Sequence, residues 1–251
     1  MARNIASPGY VTVGKAPAIQ LTGAMSIVVW AKTTNAGFGT LFGGYENGGS
    51  FAGYALVASR TTAGRTSYYN NSAGWVEGST AWNDGAWHSI GVTGYGTAGK
   101  FFIDGHADGT FTYGSPTANT AYDKYIGALP DTSLIFSGHV SDFAIWSTDL
   151  TQRELILLAG GMNPLDVRCD KLAAYWPLSG LSITERDATA HGTHAGLVNF
   201  PACSPGPAVR APSRPFRKTF YPRGTAAAST VKFRRTLSSV GTRMGSRQVQ
   251  S

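Results

Sequence analysis

Apolar residues recur at every second position in short runs along this chain. Ile90 and Val92 alternate with Ser89, Gly91 and Thr93, the period of a strand with one buried face. In a second run, Val140, Asp142, Ala144 and Trp146 fall on one side, and Ser141, Phe143 and Ile145 on the other. After Pro17, Ile19 and Leu21 alternate with Ala18, Gln20 and Thr22, so residues 9–33 read as strands with Ile19 and Leu21 facing inward. Further strands are predicted at Leu41–Gly44, Tyr54–Ala58, Thr66–Tyr69 and Phe101–Ile103, between loops rich in Gly, Asn and Ser. Gly94–Lys100 is a connection of hairpin length, and Asp104-Gly105 is a turn signal because both residues tolerate positive φ. The period changes once. Thr151-Gln152-Arg153-Glu154 is a capping box, and Leu155–Leu158 followed by Gly160-Gly161 predicts one short helix with a glycine stop, packed across the sheet edge. With 32 Gly and 12% aromatic residues in 251, such runs favour an all-β fold over a helical one.

Five blocks stand in a telling order: Trp87-His88-Ser89-Ile90-Gly91-Val92-Thr93, Phe101-Phe102-Ile103-Asp104-Gly105, Ile126-Gly127, Gly138–Trp146 and Leu150–Leu155. Together they resemble the laminin-G-like domains of the concanavalin A-like lectin/glucanase superfamily, and Gly23–Lys32 is similar to an early strand of that family. The resemblance implies a two-sheet antiparallel jelly-roll sandwich with one short helix, one that binds more often than it catalyses. Leu172–Gly180, followed by Asp187 and His191–Asn199, resembles the segment that ordinarily opens such a domain. Only about forty residues separate Leu172 from the basic tail, too few for a second sandwich. One sandwich over residues 1–204 is therefore expected, with 172–200 supplying a late, permuted closing strand. Domain termini lie at the surface and often close together, so the fold tolerates this order.

Charge then divides the chain. Residues 1–209 carry 11 Lys/Arg against 14 Asp/Glu, a balance of −3, whereas residues 210–251 carry ten Lys/Arg and no acid, a balance of +10. The net charge of +7 thus describes a tail rather than the domain. Pro205, Pro207, Pro212, Pro215 and Pro222 exclude regular central strands there. Residues 205–251 read as a Pro-led, Arg-rich arm, disordered when alone. No apolar run is long enough to span a membrane, and the opening residues lack the apolar stretch of a secretory signal. Cys169 and Cys203 allow one pairing at most, poor support for an oxidising compartment.

Candidate chemistry is sparse. Retaining glucanases of the resembled superfamily use Glu-x-Asp-x-x-Glu, since retention needs two carboxyls roughly 5 Å apart. The nearest match, Glu185-Arg186-Asp187-Ala188-Thr189-Ala190, has Ala190 in place of the second glutamate, so no catalytic residue is assigned. Some laminin-G domains hold one calcium, but no acid-rich loop supplies converging oxygens. His191, His194 and Asp187 match the family's turn rather than a metal site. His88 reads as a hydrogen-bonded strand residue, and no cofactor or metal is assigned. For glycan binding the candidates are Tyr68, Tyr69, Asn71, Trp75 and Trp82, which offer aromatic faces beside an amide, while Trp30, Trp87, Trp146 and Trp176 read as core.

In the arm, Arg214, Phe216, Arg217, Phe220, Tyr221, Arg223, Phe233, Arg234 and Arg235 interleave cations with aromatics. This suits docking onto an acidic protein surface, with a free solvated tail and nucleic-acid contact as alternatives. Similar domains with a late Tyr-Trp-Pro-Leu strand occur among phage and environmental viral proteins. The expectation is a non-enzymatic virion surface protein of decoration or fibre type, made in the host cytoplasm. Its arm would bind other virion subunits or further copies of itself, and its sandwich glycans. The alternatives are a bacterial carbohydrate-binding lectin-like module and a nucleic-acid-associated protein.

Overall fold

The structure, a computed structural model, describes residues 2–6, 9–45, 51–179, 184–199, 205–207 and 209. Among these, fifteen strands follow in chain order: β1 Arg3–Ile5, β2 Tyr10–Gly14, β3 Met25–Lys32, β4 Gly39–Gly43, β5 Tyr54–Ala58, β6 Arg65–Asn70, β7 Gly74–Ala81, β8 His88–Tyr95, β9 Ala98–Ile103, β10 His106–Thr112, β11 Lys124–Ile126, β12 Gly138–Trp146, β13 Leu172–Trp176, β14 Thr184–Glu185 and β15 Ala195–Val198. Seven form one antiparallel sheet, ordered β1-β12-β3-β8-β9-β10, with β13 also on β12. The other eight form a second sheet, β14-β15-β2-β11-β4-β5-β6-β7. The late residues enter both sheets. β13 runs beside Phe143–Trp146 of β12, whose Gly138–Val140 end is paired with β1, and β15 pairs with β2.

Each strand gives one face to a shared core. Ile27, Val29, Ile90, Val92, Phe101 and Ile145 of the first sheet meet Val11, Val13, Leu41, Leu56, Tyr68 and Ile126 of the second. Phe42 and Phe143 stack across the gap with centroids 5.3 Å apart. Burying each such side chain stabilises the fold by about 1.5–3 kcal/mol. β3 reads Met-Ser-Ile-Val-Val-Trp-Ala-Lys, almost unbroken in apolar character, because both of its faces are used. Ile27 and Val29 face the core, while Val28 faces a second cluster with Phe102, Ala144, Trp146, Leu155 and Leu158.

That second cluster sits under the helix α1, Gln152–Ala159, which carries the expected capping box at Thr151 and glycine stop at Gly160. The helix covers the outer face of the seven-stranded sheet instead of crossing an edge, since Leu155 and Leu158 point onto Val28 and Phe102. Asp104 and Gly105 adopt φ +52° and +77° and close the β9–β10 hairpin as expected. A Cβ on Gly105 would lie 2.6 Å from Ile156 Cα, so glycine there lets helix and hairpin touch.

Several local expectations change. Pro17–Ile19 is a turn of 3₁₀ helix rather than strand, because proline pre-sets its first position, yet Ile19 still reaches the core. The Gly94–Lys100 connection shrinks to Gly96-Thr97 as β8 and β9 extend toward each other. In β12 a bulge between Ser141 and Ala144, with Asp142 at φ +49°, resets the alternation. Val140 therefore joins Phe143 and Ile145 in the main core instead of siding with Ala144 and Trp146. Trp146 and Trp176 are fully buried, whereas Trp30 and Trp87 are half-buried. Cys169 is free and exposed, and Cys203 lies outside the described residues. No helix among the described residues is long and apolar enough to cross a membrane.

Lys124 is the anomaly in this core. It is fully buried on β11, and its Nζ donates to the Asn119 carbonyl at 2.9 Å. Burial lowers its pKa from the usual 10.5 to about 8, with nearby Asp123 opposing and Lys15 assisting. Between these values the unfolded chain binds more protons than the folded one, so stability rises with pH. The buried tyrosines Tyr54, Tyr68, Tyr113 and Tyr175 have hydroxyl pKa values raised by burial, which opposes the trend from about pH 9 upward. Urea midpoints are expected to rise from pH 8 to pH 9, by an amount equivalent to about 1 kcal/mol, and Lys124→Met should abolish the rise. A flat profile for the natural chain, or the same rise in the variant, would contradict this.

Candidate functional site

A third apolar cluster lies on the face of the eight-stranded sheet that points away from the core. It contains Tyr45, Ala55, Val57, Tyr69 and Leu129, with Phe38 and Trp75 packed against it. The pairing register builds it. Gly43, Ala55, Tyr69 and Trp75 are successive partners across β4, β5, β6 and β7, so their side chains share one face. A Cβ on Gly43 would collide with the Ala128 carbonyl oxygen, so glycine there lets the Ala128–Leu129 backbone close against this face. Tyr45 and Tyr69 have centroids 4.8 Å apart, Tyr69 and Trp75 5.1 Å, and Tyr45 and Trp75 5.8 Å. Phe38 meets Trp75 edge-on at 6.4 Å. These spacings are those of favourable aromatic pairs.

Polar groups ring the cluster. The exposed Arg60 guanidinium sits over the Trp75 ring, 4.5 Å from its centroid, a cation–π contact. Arg60 forms no salt bridge among the described residues. Burial raises the Tyr45 hydroxyl pKa, with Asp131 and Tyr69 adding and Arg60 opposing, which keeps that hydroxyl protonated. The Tyr69 hydroxyl donates to the Phe51 carbonyl at 3.1 Å. Glu77, two residues beyond Trp75, is already engaged by Thr62 N–H at 2.9 Å and Arg65 at 4.0 Å.

Of the five residues expected to bind a ligand, the structure brings two together. Tyr69 and Trp75 share this face. Tyr68 and Trp82 do not, each being 1% exposed. Tyr68 points inward from β6, its hydroxyl on Met25 Sδ, and Trp82 Nε1 donates to Thr66 Oγ1 inside the core. Neither presents a ring to solvent, and both leave the candidate set. Asn71 is exposed at the β6–β7 turn, but its amide is held by Thr117 through bonds of 2.8 and 2.7 Å. Phe38, Tyr45 and Arg60 went unnoticed in the sequence because no spacing links them to Trp75. All the arm residues, from Arg214 to Arg235, lie outside the described residues.

The acids of the partial glucanase motif are occupied. Glu185 Oε1 accepts from Arg3 Nε at 2.7 Å, with both side chains almost fully buried. Asp187 accepts from the backbone N–H groups of Tyr175, Thr189 and Thr193 and from the Thr189 hydroxyl. It organises the turn holding His191 and His194. His88 lies between Asp104 at 2.7 Å and Asp84 at 3.1 Å, the hydrogen-bonded strand position expected of it. Among the described residues no cluster of His, Cys, Asp and Glu is arranged to hold a metal ion.

A laminin-G-type family profile, described as the concanavalin A-like lectin/glucanases superfamily, matches residues 6–156. The chain belongs to this superfamily. Among solved structures, a Bacteroides ovatus protein proposed to bind carbohydrate superposes with TM-score 0.66 at 15% identity, over 83% of this chain and 61% of that one. A pentraxin of the SAP-like type from Limulus polyphemus gives TM-score 0.45 at 13% identity, over 62% and 76% of the two chains. Domain 4 of an arabinanase from Geobacillus stearothermophilus, solved with arabinotriose, gives 0.45 at 16%, over 56% and 68%. No curated protein matches by sequence. The first of these likenesses shows the concanavalin A-like sandwich, with this chain spanning about three-fifths of that protein.

Proposed function

We propose that this chain is a non-enzymatic, lectin-like binding module that holds a glycan on the Tyr45–Tyr69–Trp75 face. The observation that carries the reading is the half-buried Trp75 ring on an outer sheet face, backed by the nearly buried Tyr45 and Tyr69 and edged by Arg60. Aromatic rings supply flat apolar area with polar tips, which suits the apolar face of a sugar ring, and a guanidinium can donate to its hydroxyls. The carbohydrate-binding description of the Bacteroides ovatus neighbour agrees with this reading. Glu185 and Asp187, tied to Arg3 and to backbone N–H groups, support binding without hydrolysis. A finer proposal is that the module works on a virion surface, as a decoration or fibre protein docked through residues 205–251. Its support is the +10 balance of residues 210–251 beside the −3 balance of the preceding chain.

On an array of neutral oligosaccharides the natural chain should bind a defined subset without cleaving it. Trp75→Ala should weaken that binding at least about tenfold while the protein still melts cooperatively. Ending the chain at residue 209 should leave the glycan affinity unchanged and abolish association with particles or further copies. Equal binding by Trp75→Ala would remove the glycan face. Retained association after truncation would remove the docking arm.

A further inference from the structure

The seven-stranded sheet carries a second site that owes nothing to the aromatic face. α1 covers only one end of this sheet's outer side. At the other end, Asn4, His139 and Lys32 are direct cross-strand partners on β1, β12 and β3. Their neighbours Ile5, Val140 and Ala31 belong to the core, so these three side chains point outward in one row. All three are half-buried. They line a cleft of about 290 Å³ whose walls include Thr34, Asn35 and Ser137. Thr33 braces the wall: its hydroxyl donates to the Ser137 carbonyl at 2.6 Å and accepts from Asn35 N–H at 2.9 Å. Beside the cleft the half-buried Trp87 ring stands 6.2 Å from the His139 ring, inclined at 65°.

The charge of this row is unbalanced. No acidic residue lines the cleft, and neither Lys32 nor His139 forms an ion pair among the described residues. Asp84 and Asp104, the acids on the adjoining segments, are both committed to His88. Burial, aided by Lys32, holds the His139 imidazole below its ordinary pKa, the direction expected where positive charge has no counter-ion. A half-buried ammonium next to an imidazole, an amide and an indole is a set of donors with a flat apolar wall. The volume lies at the small end of ligand sites, room for one ring rather than a chain.

We infer that the Asn4–His139–Lys32 cleft binds an acidic monosaccharide unit, its carboxylate on Lys32 and His139 and its ring against Trp87. Charge-assisted hydrogen bonds to the carboxylate supply most of the affinity, and the ring contact supplies the preference for a sugar over a simple anion. The site is separate from the glycan face and stands whether or not that face binds.

D-galacturonate, D-galactose and acetate are titrated into the whole chain while the His139 ring and Trp87 indole NMR signals are followed. Galacturonate should shift both signals saturably, and the other two should bind at least about tenfold more weakly, since each lacks half of the recognised chemistry. Lys32→Gln should reduce galacturonate binding by a similar factor, with His139→Asn as a second variant, and Trp75→Ala should leave it unchanged. An equal response to acetate would mean an adventitious ion only and would overturn the proposal. So would an equal response to galactose, full binding by both cleft variants, or loss of binding in Trp75→Ala.

Discussion

A two-layer sandwich shelters one face of each sheet, so every large apolar side chain on an outer face needs a cover of its own. This constraint organises the rest of the molecule. On the seven-stranded sheet the cover is α1, which is why Val28, Phe102, Ala144 and Trp146 can be apolar on the side away from the core. On the eight-stranded sheet Tyr45 and Tyr69 are packed down to 7% and 8% exposure, and Trp75 stays half-buried beneath Arg60, with Phe38 and Leu129 alongside. A half-buried Trp75 topped by the exposed Arg60 side chain is the physical basis for reading that face as a binding surface.

The same constraint explains the late strands. Without β13 and β15, one side of β12 beyond Val140 and one edge of β2 lose their pairing, and open edges of a sheet are costly and prone to association. The buried Arg3–Glu185 pair joins the first strand of one sheet to the short strand β14 of the other. Removing one partner would strand a buried charge, at a cost of about 3–5 kcal/mol. A glutamate held this way is a closing bolt of the sandwich, its carboxylate committed to Arg3.

Much of the fold was legible because strand period and turn chemistry act locally. Tyr54–Ala58, the Asp104-Gly105 hairpin and the capping box at Thr151 all emerged where the pattern placed them. The bulge at Asp142 was not legible, since one residue at positive φ shifts the phase without altering composition. The site was half legible. Tyr68 and Tyr69 are adjacent and chemically alike, and only the register with Ala55 and Trp75 decides which faces outward. Trp82, expected to offer a ring to a glycan, is instead drawn inward by its bond to Thr66. Phe38, Tyr45 and Arg60 join the cluster through sheet pairing between separate segments, which leaves no local mark.

The central claim is that the outer aromatic face, rather than a loop or the rim, receives a glycan. The direct measurement is to map NMR shifts of the aromatic ring protons while the strongest-binding neutral oligosaccharide is titrated to saturation. The account predicts that the largest shifts fall on Tyr45, Tyr69 and Trp75, with the buried Tyr68 and Trp82 nearly unmoved. Saturable binding that leaves Tyr45, Tyr69 and Trp75 unshifted would contradict it.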